Sequence, residues 1–178
     1  MAYPVFSSGD VLPASDMNAI GMWLVASTSF TGAGVVIINN CFTSNYTNYM
    51  VNINLRGSTA AQPFIKLRAG GTDASSAYNY GGYYIAMSGG AITGEGALGG
   101  TSGFRIGAYG ANEYGSNTYI YNPAVAVSST YTSNCQAAED YARYFGGYHG
   151  TAAAYDGMSL VLSSGTVTGR IRIYGMRN

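Results

Sequence analysis

Tyrosine is the residue type in this chain whose number and spacing most readily suggest chemistry. There are 17 tyrosines, and many are clustered. Tyr78, Tyr80, Tyr83 and Tyr84 form one group. Tyr109, Tyr114, Tyr119 and Tyr121 form a second, and Tyr141, Tyr144 and Tyr148 a third. A phenol offers a flat apolar body and a hydroxyl, which suits sugar faces and protein interfaces. The same spacing also fits tyrosines that alternate into a core or against a neighbouring subunit. The candidate ligand-binding residues are Tyr78, Tyr80, Tyr83, Tyr84, Tyr109 and Tyr114, within Gly- and Tyr-rich stretches at 78–84 and 88–114.

Bond-breaking chemistry finds less support. His149 is the single histidine. It could pair with a serine and with Asp140 or Asp156, as in a hydrolase triad. No G-x-S-x-G elbow presents a nucleophile, so a loop or core histidine is the simpler reading. Glu95, Glu113, Glu139, Asp140 and Asp156 are too scattered to argue a glycosidase pair, which is defined by separation in space. Gly94, Gly96 and Gly99 spell G-x-G-x-x-G, but Gly100-Thr101-Ser102-Gly103 follows and will not open the helix a dinucleotide site needs. No D-x-D-x-D loop suggests calcium. One histidine and two distant cysteines do not make a zinc site. Cys41 and Cys135 are expected to be free, small core residues. No catalytic residue, metal or cofactor is therefore expected, and the chain does not read as an enzyme.

Composition narrows the partners. Charged residues are 9% of the chain and the formal net charge is zero, which excludes electrostatically driven nucleic-acid binding. Apolar content of 47% allows a folded core despite the low charge. With 178 residues, one domain with a proper core is expected. Glycine (26 residues), Ser, Thr, Asn and Tyr together are the palette of β-rich extracellular or virion proteins. So few charges also suit a surface covered by other subunits. No run reaches the ~18 apolar residues of a membrane span, and Met1-Ala2-Tyr3-Pro4 does not open a signal peptide. The expected location is the cytosol, or release by lysis.

The elements that must position any site are strands. Asn48 to Arg56 alternates strongly, with Tyr49, Val51, Ile53 and Leu55 against Met50, Asn52, Asn54 and Arg56. Further strands are expected at Met22–Ser27, Gly34–Ile38, Phe64–Arg68, Tyr80–Met87, Phe104–Ile106, Thr118–Val127, Thr130–Cys135 and Tyr141–Tyr148. Pro123 marks an edge or bulge. Ser88–Gly103 reads as a long Gly-rich loop, and Gln136–Tyr144 as a helical turn or a continuing strand. The stretch from Gly157 onward reads as a closing β-hairpin, turning at Ser164-Gly165, with Ile171 and Ile173 inward and Arg170 and Arg172 outward. About ten short strands with such turn signals predict a sandwich or barrel. Residues 1–21 differ: Pro13 to Ile20 predicts a short helix whose apolar face is Met17 and Ile20, either a docking arm or a helix packed on its own domain.

The segment Phe6-Ser7-Ser8-Gly9-Asp10-Val11-Leu12-Pro13-Ala14-Ser15-Asp16-Met17-Asn18 resembles one common in tail-fibre and minor tail proteins of tailed bacteriophages. Gly21-Met22-Trp23-Leu24-Val25, Ser44 to Tyr49, Tyr121-Asn122-Pro123 and the ending Ser164 to Gly175 are similar to the β-sandwich that follows in such proteins. The resemblance consists of scattered short motifs, none of them catalytic, and no long fibre shaft is present. It implies an antiparallel, jelly-roll-like β-sandwich knob at 22–178 behind an arm at 1–21. Val11, Leu12, Met17 and Ile20 would dock that arm on the virion. It further implies a homotrimer, virion localisation, neighbouring tail or capsid proteins, and a host-surface glycan as receptor. A head decoration, cement or head-fibre protein is the alternative.

Overall fold

The computed structural model describes residues 21–108, 112–137 and 141–176. These form thirteen strands: β1 (Met22–Ala33), β2 (Val35–Ile38), β3 (Asn48–Gly57), β4 (Pro63–Ala69), β5 (Thr72–Asp73), β6 (Tyr78–Ala86), β7 (Ile92–Gly100), β8 (Phe104–Arg105), β9 (Glu113–Tyr121), β10 (Thr130–Ala137), β11 (Tyr141–His149), β12 (Gly157–Leu162) and β13 (Val167–Met176). No helix occurs among the described residues. The helix expected over Pro13–Ile20 lies outside them.

The strands form two antiparallel sheets. The larger has eight strands in the order β1-β13-β3-β9-β10-β11-β6-β7. The smaller has five, with β2-β12-β4-β5 in line and β8 also on β4. Alternation decides what lies between them. Tyr49, Val51, Ile53 and Leu55 of β3, Ile120 of β9, and Ile171 and Ile173 of β13 are buried from the larger sheet. Val36 and Ile38 of β2, Ile65 and Leu67 of β4, and Met158 and Leu160 of β12 are buried from the smaller. All belong to one cluster, so the two sheets share a core. Each such side chain contributes roughly 1.5–3 kcal/mol by leaving water.

The expected closing hairpin is not one. β12 pairs with β2 and β4 in the smaller sheet, while β13 pairs with β1 and β3 in the larger. Ser164-Gly165 is therefore a corner that carries the chain from one sheet to the other. Residues 58–62 make the same passage between β3 and β4, directly alongside. Ser58 N–H donates to Thr166 O (2.9 Å) and Ser163 N–H to Gln62 O (3.0 Å). Thr166 N–H donates to Ser58 Oγ (3.0 Å), and Gln62 N–H to Ser163 Oγ (2.9 Å). Serine hydroxyls thus satisfy corner amides that no ladder reaches. The facing of Ile171, Ile173 and the two arginines is as the alternation predicts.

Two further expectations are corrected. Ser88–Gly103 is not a long loop: Ile92–Gly100 is strand β7, paired with β6 along most of its length. Backbone ladder bonds suffice there, because an edge strand needs few side chains to pack. The strand expected over Thr118–Val127 ends at Tyr121, where Asn122 takes a left-handed conformation (φ 58°) before Pro123. On either side of 138–140, Gln136 and Tyr141 lie in strands. Cys41 and Cys135 are buried free thiols.

Candidate ligand groove

The outer face of the eight-stranded sheet carries what its strands do not bury. Among these are Asn52, Asn54 and Arg56 on β3, Glu113, Gly115 and Asn117 on β9, and Asn134 and Gln136 on β10. Register sets them side by side. Arg172 stands opposite Asn52, Asn52 opposite Asn117, and Asn117 opposite Asn134. The row continues from Asn134 to Tyr144 and from Tyr144 to Tyr83. A polar line thus crosses six strands at right angles to the chain direction.

The amides are partly wired together. Asn54 Nδ2 donates to Asn52 Oδ1 (3.1 Å), and Asn52 Nδ2 donates to Asn117 Oδ1 (2.9 Å). The relay ends at Asn117, whose amide N–H is a donor strengthened by the bonds behind it. Beside the row the sheet is bare at Gly115, where an added Cβ would touch only Asn54 Oδ1, at 3.7 Å. Ala142 is the corresponding small residue on β11. The result is three adjoining depressions that share Asn54 or its neighbours. One of about 350 Å³ lies between Asn52 and Tyr144. One of about 380 Å³ lies over Gly115 and Gln136, and one of about 470 Å³ between Asn54 and Arg170 and Arg172.

The two ends differ in chemistry. At one, Arg170 Nε donates to Ser29 Oγ (3.0 Å), which holds that guanidinium beside Arg172. Glu113 lines the same depression, with Arg56 opposite it in register. At the other end, Tyr83 and Tyr144 lie ring by ring, centroids 5.3 Å apart and tilted by 30°. They are 42% and 38% exposed, enough to offer ring surface to a ligand.

The tyrosines expected to bind ligand divide by parity. Tyr83 faces out. Tyr78 does not: it is fully buried, its hydroxyl accepts from Leu67 N–H (2.9 Å), and its ring meets Phe104 edge-on. Tyr114 is also a core residue, donating its hydroxyl to Ile106 O (2.5 Å). Burial pushes the phenol pKa of both upward by disfavouring the anion. Neither can line an accessible surface. Tyr80 packs half-buried on Phe145, and Tyr84 lies edge-on to Tyr141 at 5.2 Å. Tyr109 lies outside the described residues, as do Val11, Leu12, Met17 and Ile20. The groove residues that sequence reasoning missed as binding candidates are the asparagines, Gln136, Arg170, Arg172 and Tyr144.

The remaining reactive groups are committed to structure. His149 is buried, with Nε2 2.9 Å from Ser76 O and Nδ1 3.0 Å from the Tyr155 hydroxyl, so no serine hydroxyl of a triad meets it. Glu95 pairs with Arg105, and Asp73 with Arg68. Gly94 and Gly96 pair with β6 as part of a strand, not as a phosphate loop. Burial pushes the Cys41 thiol up to about 12 and Cys135 up to about 11, so neither is a nucleophile at neutral pH. Among the described residues no group of three His, Cys, Asp or Glu could hold a metal ion. What the groove can do is bind, through amide donors and acceptors, guanidiniums and aromatic faces. No protein-family model matches the chain, and no curated protein is similar to it in sequence.

Proposed function

We propose that this chain is a structural protein of a tailed-bacteriophage virion, a tail-fibre or receptor-binding knob that attaches to the host cell through the groove. The observation that carries this reading is the row Asn52–Asn117–Asn134–Tyr144–Tyr83 across the larger sheet. A fold needs polar side chains outside, but not amides aligned over three adjacent strands beside a paired aromatic surface. The resemblance of residues 6–18 to tail-fibre lead-ins agrees with it. We take the knob to be jelly-roll-like, because most of its connections switch sheets, and non-enzymatic, acting by reversible contacts multiplied over a homotrimer. The segment 1–21 would join it to the virion.

A head decoration or cement protein is the second reading. Exposed Met22 and Leu24 on edge strand β1, and Val35 and Ile37 on edge strand β2, favour it, since apolar edges suit a covering neighbour. Binding of size-characterised protein to intact candidate host cells separates the two. Saturable binding that free surface polysaccharide competes away is expected for the knob. A folded protein that binds no cell but decorates isolated capsids would replace it with the second reading. Deletion of 1–21 should leave a folded domain that no longer incorporates into particles; normal incorporation would refute the docking role.

A further inference from the structure

We infer that the groove takes an anionic oligosaccharide, with its charged sugar at Arg170 and Arg172 and an uncharged sugar face on Tyr144 and Tyr83. This rests on the attachment reading and specifies its ligand. The first argument is the placement of charge. Of the arginines in the described residues, Arg68, Arg105 and Arg143 are buried in the interior. Arg68 is paired with Asp73, Arg105 is paired with Glu95, and Arg143 lies against the Tyr141 ring. The other three, Arg56, Arg170 and Arg172, stand together on the outer face of β3 and β13. The described carboxylate among them is Glu113, which forms no ion pair within 4.0 Å. Three guanidiniums against one carboxylate leave this end positive in a protein whose net charge is zero. Guanidinium forks match a carboxylate or phosphate.

The second argument is the rest of the groove. Among the described residues its lining from Asn54 to Tyr83 is amide, hydroxyl, glycine, small apolar side chain and ring, with Glu113 at its border over Gly115 and no cation. A nucleic acid would need cations along its whole length, so it does not fit. A β-strand peptide is read by main-chain groups at a sheet edge, whereas this groove crosses the middle of a face, where only side chains are offered. Amides that both donate and accept suit sugar hydroxyls, and exposed phenol rings suit the apolar face of a pyranose. The third argument is length. Strands lie about 4.8 Å apart, so the five gaps from β13 to β6 span about 24 Å. That is several sugars, not one.

The test uses the full chain, a defined oligouronate, its carboxyl-reduced neutral counterpart and a phosphorylated oligosaccharide. Binding is measured by calorimetry at low and high salt, alongside binding to intact host cells. The wild-type protein should prefer an anionic oligomer over the reduced one by roughly tenfold or more, with the preference shrinking in salt. The double variant R170Q/R172Q should abolish that preference, and Y83A/Y144A should weaken charged and neutral oligomers alike. Whichever anion binds better, carboxylate or phosphate, identifies the charged sugar. Equal binding of reduced and charged forms, or a preference that survives R170Q/R172Q, overturns the inference. If wild-type protein binds cells but no anionic oligomer competes, the inference falls and the attachment reading stands. If an anionic oligomer binds as described but no host cell does, the attachment reading falls instead.

Discussion

Replacing Gly165 by alanine tests the paired corners directly. Gly165 has φ +69°, in the left-handed region, and a Cβ there would lie 2.5 Å from Thr59 Cγ2 and 2.9 Å from Ser58 Oγ. Both atoms belong to the neighbouring corner, and Thr59 is β-branched, so neither yields easily. The left-handed conformation costs a non-glycine residue about 1–2 kcal/mol. Crowding into a packed contact adds about 1–3 kcal/mol. The expected loss is therefore about 2–5 kcal/mol. At ~2–4 °C per kcal/mol for a chain of this size, the melting temperature should fall by roughly 4–20 °C. Two controls separate the terms. Gly70 has φ +55° but nothing within 4 Å of its Cβ, so Gly70→Ala should carry the conformational cost alone. Gly81 also has open space and is not among the left-handed residues, so Gly81→Ala should be neutral or slightly stabilising. Thermal unfolding followed by circular dichroism ranks the three. If Gly165→Ala costs no more than Gly70→Ala, the corners do not brace one another and the account of the closing segment is wrong.

Tyr78→Phe should cost about 1–2 kcal/mol, because it strips the Leu67 N–H of its acceptor in a buried site; Tyr83→Ala should change stability by no more than about 0.5 kcal/mol. Chemical denaturation of both variants checks this, and a reversed order would exchange their assigned faces. Stability should also decline at alkaline pH. Cys41, Cys135, Tyr78, Tyr114 and Tyr131 all have pKa values raised by burial in the fold. The unfolded thiols and phenols ionise near their ordinary 9.0 and 10.0, while the folded ones hold their protons. The stabilisation is thus complete below about pH 9 and is lost as pH climbs toward the folded Cys135 and Cys41 values of about 11 and 12. A melting temperature that stays level from pH 7 to beyond pH 10 would contradict that burial. Glu95→Gln should cost about 2–4 kcal/mol by leaving the Arg105 charge buried without its partner, and should raise hydrogen exchange in β7 first. Uniform exchange across the sheet would show that β7 does not depend on the pair.

What the sequence made legible was local. The alternation in Asn48–Arg56 and in Arg170–Tyr174 gave both the strands and their buried faces. It could not give partners. Met158–Leu162 and Arg170–Tyr174 are adjacent strands around a glycine turn, which fits a hairpin as well as a corner; only the pairing of each with distant strands decides. β7 was hidden because glycines at 94, 96, 99 and 100 remove the side-chain pattern that marks a strand, although the backbone ladder remains. Tyr78 and Tyr83 looked alike because Gly81-Gly82 and Tyr83-Tyr84 leave no apolar–polar contrast from which to read a face. Asn52 and Asn54 were visible as the polar phase of β3. The meeting of Asn52 with Asn117 depends on a register between residues 65 positions apart, which no local pattern encodes.

The place of β13 between β1 and β3 has a consequence for synthesis. Among the strands, β1 finds its partner only in β13, and their facing ends, Ala33 and Val167, are separated by most of the chain. At ~5–20 residues per second, a ribosome needs on the order of ten seconds or more to make what lies between. Through that interval the nascent chain holds a β1 with no sheet to join and a β3 with one ladder edge open. An open edge of that kind is a template for the wrong strand, including the same strand of a neighbouring nascent chain on one polysome. Ser27, Thr28, Ser29, Thr31 and Gly32 make the second half of β1 a poor template, whereas Met22 to Ala26 is apolar and is the half that needs its late partner most.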